Sequence, residues 1–216
     1  MPSEAQSVDR FLPAAAIETS RRPGSVALAL AAGGIQCSPL STQADPAGAI
    51  LPALDRLVRA AGLEPGEPRL IVLGAGPGSF TGLRAGAAVA AVLARFLPAP
   101  LVALPSLEGS PLLLPTGNAA LCLDALRGQV FGAFYLEGRQ VSAPALLSPE
   151  EFAERLARFA PAGEGFLGGD GLGLLDARCP GSAGWSRTEE EWEPRADLLL
   201  RRDRKSTRLN SSHRIR

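Results

Sequence analysis

Through residue 202 the chain contains neither lysine nor histidine; its one Lys (Lys205) and one His (His213) both fall in the last dozen residues. That absence removes histidine triads, histidine general bases and histidine metal ligands from the body of the chain. It also removes Schiff-base chemistry and the lysine that a phosphate-binding P-loop requires. Cysteine is scarce as well. Cys37, Cys122 and Cys179 are odd in number and form no C-x-x-C pair, so neither a disulfide framework nor a zinc site is indicated; they read as buried small apolar residues in a reducing compartment. The longest strongly apolar run, Ala85–Ala94, is half the length needed to span a bilayer. The opening Met-Pro-Ser-Glu-Ala-Gln lacks the basic-then-apolar pattern of a signal peptide. A cytoplasmic protein without membrane attachment is expected.

A basic excess is also missing. The chain of 216 residues carries 22 basic and 22 acidic side chains, with 46% hydrophobic and 20% charged residues. This is ordinary globular composition, and it excludes a disordered, coiled-coil or collagen-like chain. The zero net charge is a sum of unlike pieces. Residues 1–202 hold 17 Arg against 21 acids, a net of −4, whereas residues 203–216 hold four Arg and one Lys against one acid, a net of +4. A body of net charge −4 argues against independent RNA binding, which rests on neutralising phosphates. The segment from Asp203 does not share the Ala, Gly, Pro and Arg bias of the body and resembles a translated sequencing adapter. Residues 203–216 are therefore expected to be non-native, with the native C-terminus missing and the second lobe truncated. Residues 1–12 are expected to be a flexible leader.

What is present is a repeated order of strands and helices. Ala14–Glu18, Ser25–Ala32 and Ile35–Ser41 alternate with turn clusters and predict a three-stranded antiparallel meander. Asp45-Pro46 starts a helix, along which Ile50, Leu51, Leu54, Leu57, Val58 and Ala61 recur at helical spacing until Gly62. Arg69–Gly74 is a strand apolar enough to be buried on both faces; a helix over Thr81–Leu97 and a strand over Leu101–Leu104 follow. Meander, helix, strand, helix, strand is the order of a ribonuclease-H-like half-domain. Pro105–Asn118 reads as a linker. Strands over Leu121–Leu126, Val130–Leu136 and Gln140–Leu147, a capping box at Ser148 to Glu151 opening a helix, and a strand over Gly165–Leu167 repeat the same order. Pro194–Leu200 reads as the start of a helix. The expected organisation is thus a first lobe over residues 13–108 and a second over 109–202.

The glycine-rich stretch Gly74 to Arg84 lies between a buried strand and a helix, where backbone N–H groups can hold phosphate. It fails both specific motifs, having no Lys for a Walker loop and Ser79 where a dinucleotide fingerprint requires glycine. The ordinary reading is a tight turn whose glycines let strand and helix approach. The helix behind it, apolar from Ala85 to Ala94, looks buried all round. Gly86, Ala90 and Ala94 form a small-residue ridge that permits close helix packing, either inside its own domain or with one side on the sheet and the other on a partner subunit. Candidate acids for Mg²⁺ or base chemistry are Glu18, Asp124 and Asp170, each near a strand end; such acids more often cap turns.

Several motifs now carry a resemblance. Ala16-Ile17-Glu18-Thr19-Ser20 followed by Gly24-Ser25-Val26-Ala27-Leu28, and Leu51-Pro52-Ala53-Leu54, resemble the opening of the TsaB (YeaZ) family. The most specific match is Gly76-Pro77-Gly78-Ser79-Phe80-Thr81-Gly82-Leu83-Arg84-Ala85-Gly86. Pro105-Ser106-Leu107-Glu108, the hairpin Leu123-Asp124-Ala125 with Arg127-Gly128-Gln129-Val130-Phe131, and Gly169-Asp170-Gly171 follow in order. The resemblance covers roughly residues 13–200. It implies an α/β, actin-like ATPase (sugar kinase/Hsp70-like) fold of two ribonuclease-H-like lobes. It further implies a non-catalytic subunit that binds TsaD. With TsaE, that complex transfers threonylcarbamoyl from threonylcarbamoyl-adenylate to N6 of adenosine 37 in tRNA. ATP and metal belong to the partner subunits, and tRNA is engaged through the complex. The two first-lobe helices would form a bundle with TsaD or, without it, with a second copy. Ile50, Leu54, Leu57, Arg84, Gly86, Ala87, Ala90, Ala91 and Ala94 are the expected contact residues. Glu18 departs from the family's more frequent Asp. The alternative is a nucleotide-binding phosphotransferase or ATPase of the same fold using Glu18, Asp124 or Asp170 with Mg²⁺.

Overall fold

Strand formation in the first half follows from short runs that are mostly apolar, as in Ala14–Glu18, Leu70–Gly74 and Leu101–Leu104. The computed structural model describes residues 11–31, 33–43, 45–114, 117–160, 164–178, 185–188, 192–205 and 214–215. In it, Ala14–Glu18 (β1), Ser25–Ala29 (β2) and Ile35–Pro39 (β3) form the antiparallel meander, with Ile17 opposite Val26 and Ala27 opposite Cys37. Helix α1 (Pro46–Ala60) leads to β4 (Leu70–Gly74), which lies parallel to β1. Helix α2 (Phe80–Phe96) leads to β5 (Leu101–Leu104), parallel to β4. Both parallel crossovers run through a helix, as parallel pairing requires.

The sheet is buried on both faces, and strand alternation decides which residue faces which side. Ala15, Ile17, Val26, Leu28, Ile71 and Leu73 meet Ile50, Ala53, Leu54 and Val58 of α1 and Val89 and Ala90 of α2. The residues between them, Ala14, Ala16, Ala27, Ala29, Leu70 and Val72, face the other way. They are covered by Ala196, Leu199 and Leu200 of a C-terminal helix, Ala196–Lys205. Fully burying each large aliphatic side chain here contributes about 1.5–3 kcal/mol.

That helix corrects the expected boundary. The chain divides into one unit made of the residues up to Gly109 together with those from Pro194 onward, and a second unit of Ser110–Glu193. The segment after Pro194 therefore belongs to the first unit, not to the end of the second. The reason is the open face of the first sheet, which needs an apolar helix over it. Backbone bonds pin its start: Ala196 N–H donates to Ser25 Oγ at 2.9 Å and Arg195 N–H to the Gly109 carbonyl at 3.0 Å. Asp197, nearly buried, is held bidentately by the Arg195 guanidinium, both bonds 3.0 Å.

The second unit repeats the order. Ala119–Asp124 (β6), Val130–Leu136 (β7) and Arg139–Leu147 (β8) form a meander; Pro149–Arg158 is α3, Phe166–Gly168 is β9, Leu172–Arg178 is α4 and Ser186–Arg187 is β10. The sheet order is β10-β9-β6-β7-β8, with β9 parallel to β6. Ser148 caps α3 reciprocally with Glu151, at 3.1 and 2.8 Å. Phe152 and Leu156 of α3 enter a core with Phe134, Leu167, Leu175 and Trp185, and the Phe134 and Phe152 rings lie 5.0 Å apart. In chain order the C-terminal helix is thus α5, followed by a two-residue strand, Arg214–Ile215 (β11), antiparallel to β5.

Two further expectations change. Pro105–Asn118 is not a loose linker in its described part: Ser106–Gly109 and Pro111–Leu113 are 3-10 turns, and Leu107, Leu112 and Leu113 are buried. The segment expected to be foreign is partly placed, since α5 runs to Lys205 and β11 joins the edge of the first sheet. An edge strand pairs through backbone groups and so accepts a segment regardless of its side chains. The rest of that segment, residues 206–213 and 216, and residues 1–10 of the expected leader lie outside the described residues.

Leu199 is fully buried against the first sheet. Leu199→Ala is expected to cost about 2–5 kcal/mol, read as a lower urea midpoint. An unchanged midpoint would show that α5 is no part of the first core.

Candidate functional site

The glycine-rich turn is organised around the end of β1. Glu18, Thr19 and Ser20 are all buried, and a glycine stands at every fourth position from 74 to 86. A Cβ on Gly74 would lie 1.8 Å from Glu18 Oε2; on Gly78, 2.4 Å from the Ser20 carbonyl oxygen; on Gly82, 2.0 Å from the Thr19 carbonyl oxygen; on Gly86, 2.3 Å from Thr19 Oγ1. No side chain fits at those distances. Hydrogen bonds tie the two segments together. Ser79 N–H donates to the Ser20 carbonyl at 2.7 Å, and Thr19 Oγ1 donates to the Gly82 carbonyl at 2.9 Å. Ser79 caps α2 by accepting from Gly82 N–H at 3.3 Å.

This packing already uses several of the turn's backbone donors. The N–H groups of Ala75, Gly76, Ser79 and Gly82 are all engaged inside the chain, by the Leu104 carbonyl, Ser106 Oγ, the Ser20 carbonyl and Ser79 Oγ. Donors already paired internally are not offered to a ligand. Beside the turn lies an open groove of about 490 Å³, lined among others by Thr19, Arg21, Arg22, Asp45, Ser79 and Thr81.

The three candidate acids are not alike. Glu18 is completely buried in the first unit, and burial pushes its carboxyl above the usual range. Asp124 and Asp170, both exposed, come together in the second unit. Asp170 Oδ1 accepts from Asp124 N–H at 2.9 Å, and Asp124 Oδ1 accepts from Leu126 N–H at 2.7 Å. Both carboxylates thus brace the β6–β7 turn and the Gly169-Asp170-Gly171 loop, the structural role such residues often take. Among the described residues no three His, Cys, Asp or Glu side chains gather as a metal site. Cys122, beneath this turn, is buried, and its thiol is pushed up to about 12 by burial first and then by the Asp170 charge. Cys37 is exposed, against expectation, because β3 is a sheet edge. Cys179 lies outside the described residues.

The two helices of the first unit give the larger correction. Helix α2 is not buried all round. Gly82, Gly86, Val89 and Ala90 face inward, whereas Arg84, Ala87, Ala88, Ala91, Val92, Arg95 and Phe96 are exposed. Of the expected contact residues, Ile50, Leu54, Gly86 and Ala90 are spent on the unit's own core, and Leu57 and Ala94 are half-buried against it. Arg84, Ala87 and Ala91 are the ones left in solvent. Beside them stand large apolar side chains that sequence spacing did not single out: Phe80 at 73% exposure, Phe96 at 81%, Val92 at 50% and, on α1, Leu51 at 45%. The Arg84 guanidinium lies 5.3 Å from the Phe80 ring centre. When both faces of a helix are apolar, periodicity cannot say which one is inside. Small residues lying inward beside phenylalanines further along the helix were the available signal.

Two units with the same strand order and helices on the sheets define the two-lobed α/β architecture of actin-like ATPases. Comparison with known proteins narrows this. The sequence model of the family described as TsaD, tRNA N6-adenosine threonylcarbamoyltransferase, matches residues 25–162. YeaZ from Pseudomonas aeruginosa is 26% identical with a TM-score of 0.71, over 88% of this chain and 89% of that one. An uncharacterized protein described as similar to peptidase YeaZ from Pseudomonas aeruginosa is 27% identical with a TM-score of 0.72, over 87% and 88%. An uncharacterized protein of Mycobacterium leprae is 32% identical over 136 residues, 61% of this chain; the chain spans only 38% of that relative's length. The chain belongs to the TsaD-type family, in its TsaB (YeaZ) branch.

Gly82→Ala forces a Cβ into the Thr19 backbone and is expected to destabilise by about 1–3 kcal/mol. Gly48→Ala, in α1 with nothing within 4 Å of the added carbon, is expected to stabilise by roughly 0.5–1 kcal/mol. Thermal denaturation of both variants checks the pair: a silent Gly82→Ala would contradict the close approach described.

Proposed function

We propose that this protein is a non-catalytic subunit that docks on a TsaD-type catalytic subunit and supports threonylcarbamoyl transfer to N6 of adenosine 37 in tRNA. One observation carries the reading: α2 buries Gly82, Gly86, Val89 and Ala90 in its own core and leaves the opposite side, with Ala87, Ala88 and Ala91, in solvent, while Phe80, Val92 and Phe96 are also exposed along the helix. Large apolar side chains left exposed along one helix of a small unit suit a partner surface. The outward residues are small between the phenylalanines, which suits close packing of a partner helix. In this reading ATP and metal reside on the partners, and a TsaE-type ATPase and tRNA are engaged through the assembled complex. The same face would pair two copies when the catalytic subunit is absent. A cytoplasmic location fits; among the described residues no helix is long and apolar enough to cross a membrane.

The phosphotransferase alternative has less behind it. Asp124 and Asp170 brace turns, Glu18 is sealed from solvent, and four amides of the glycine-rich turn, those of Ala75, Gly76, Ser79 and Gly82, are bonded inside the chain.

The test is co-elution with a TsaD-type protein. Ala91→Arg and Phe96→Asp change exposed positions and are expected to leave folding intact while weakening the complex by about 2 kcal/mol or more, roughly 30-fold. Ala90 is unsuited to this test, since an arginine there enters the core. Undiminished co-elution of both variants would remove α2 from the interface.

A further inference from the structure

Among the described residues of the first unit, Glu18 is the one charged-type side chain that is fully buried. Its Oε1 accepts Ser20 N–H at 2.6 Å. Its Oε2 has no hydrogen-bond partner, and neither has the neighbouring Ser20 Oγ. The charged groups on the elements around it are Arg21 and Arg22 in the β1–β2 turn, Arg84 on α2, Glu108 in the 3-10 turn after β5, and Arg195, Asp197 and Arg201 at the start of and along α5. None of them is hydrogen-bonded or ion-paired to it. A buried carboxylate without a cation or a full set of donors is costly; a neutral carboxylic acid is far less so.

The position of this carboxyl is what makes its protonation consequential. Oε2 lies against Gly74, and the two residues after Glu18 are the ones seated on Gly78, Gly82 and Gly86. Thr19 and Ser20 in turn hold the first turn of α2 through the bonds to Gly82 and Ser79. A change that displaces Glu18 displaces the anchor of that helix.

We propose that Glu18 is a proton-dependent latch: as the neutral acid it lets the four glycines close on Glu18-Thr19-Ser20, and as the carboxylate it loosens that clasp and the first turn of α2 together. Burial raises the Glu18 carboxyl above its ordinary value of 4.5, and the nearby Ser20, Ser106 and Thr19 groups offset only part of this. The sign follows from linkage. Between the unfolded and folded pKa values the folded chain holds one proton more than the unfolded chain, so stability falls as pH rises. The contribution is complete below about 4.5 and is lost as pH climbs to the folded-state pKa. This property belongs to the isolated chain and does not depend on whether α2 meets a partner.

The experiment is urea unfolding of the full chain and of Glu18→Gln from pH 5 to pH 8, with hydrogen exchange of the α2 first-turn amides. The ratio of folding constants, variant over parent, is expected to rise about tenfold per pH unit up to the folded-state pKa of Glu18. First-turn exchange in the parent is expected to accelerate over the same range beyond its chemical pH dependence. Parallel pH profiles for the two proteins would overturn the latch. Should Glu18→Gln fail to fold, carbon-13 spectroscopy of the parent labelled at glutamate carboxyls decides. One carboxyl titrating above the ordinary range supports the latch, and ordinary titration of every glutamate overturns it.

Discussion

The close approach between the end of β1 and the glycines that lead into α2 is the constraint on which the first unit depends. Four residues without side chains, spaced four apart in the sequence, let a strand end, a turn and a helix occupy a volume that side chains would fill. Thr19 and Ser20 supply the hydrogen bonds, and Glu18 supplies a buried acid. Without this clasp α2 would stand further from β1 and β4, and Val89 and Ala90 would lose their contact with Ile17, Ile71 and Leu73. The motif that looks like a phosphate loop is a packing device first.

From that seat follows the two-sided character of α2. A helix drawn tightly onto a sheet through Gly82, Gly86 and Ala90 needs no bulk on its inner face. Its bulky residues, Phe80 and Phe96, are left exposed at the two ends of the helix, and the outer side between them carries Ala87, Ala88 and Ala91. Exposed apolar side chains on a helix whose other face is already buried suit a partner surface, which is why this surface, rather than the acids of the second unit, bears the functional reading.

Much of the fold was legible beforehand. Strands β1, β5 and β7 begin and end where their apolar runs do, and the capping box at Ser148 starts α3 as its spacing requires. Less was legible where two explanations share one composition. Pro105–Asn118 reads as a linker from its Pro, Gly and Ser, yet Leu107, Leu112 and Leu113 bury themselves in two short turns. The seven-residue helix α4 gave no clear period. Ile50 and Leu54 read equally well as core or as contact residues, because a helix pattern records which residues avoid water and not what they meet.

The amino-acid sequence by itself determined the chemistry that is unavailable here and the order of the elements. A body without histidine or lysine has no histidine-based or lysine-based catalysis, and apolar periodicity sets strand against helix through local geometry alone. Only the tertiary structure decided that the helix after Pro194 completes the first unit, that Asp124 and Asp170 meet to brace a turn, and that α2 leaves Phe80, Val92 and Phe96 exposed. Those outcomes depend on contacts between residues far apart in the chain, whose distances no local pattern encodes.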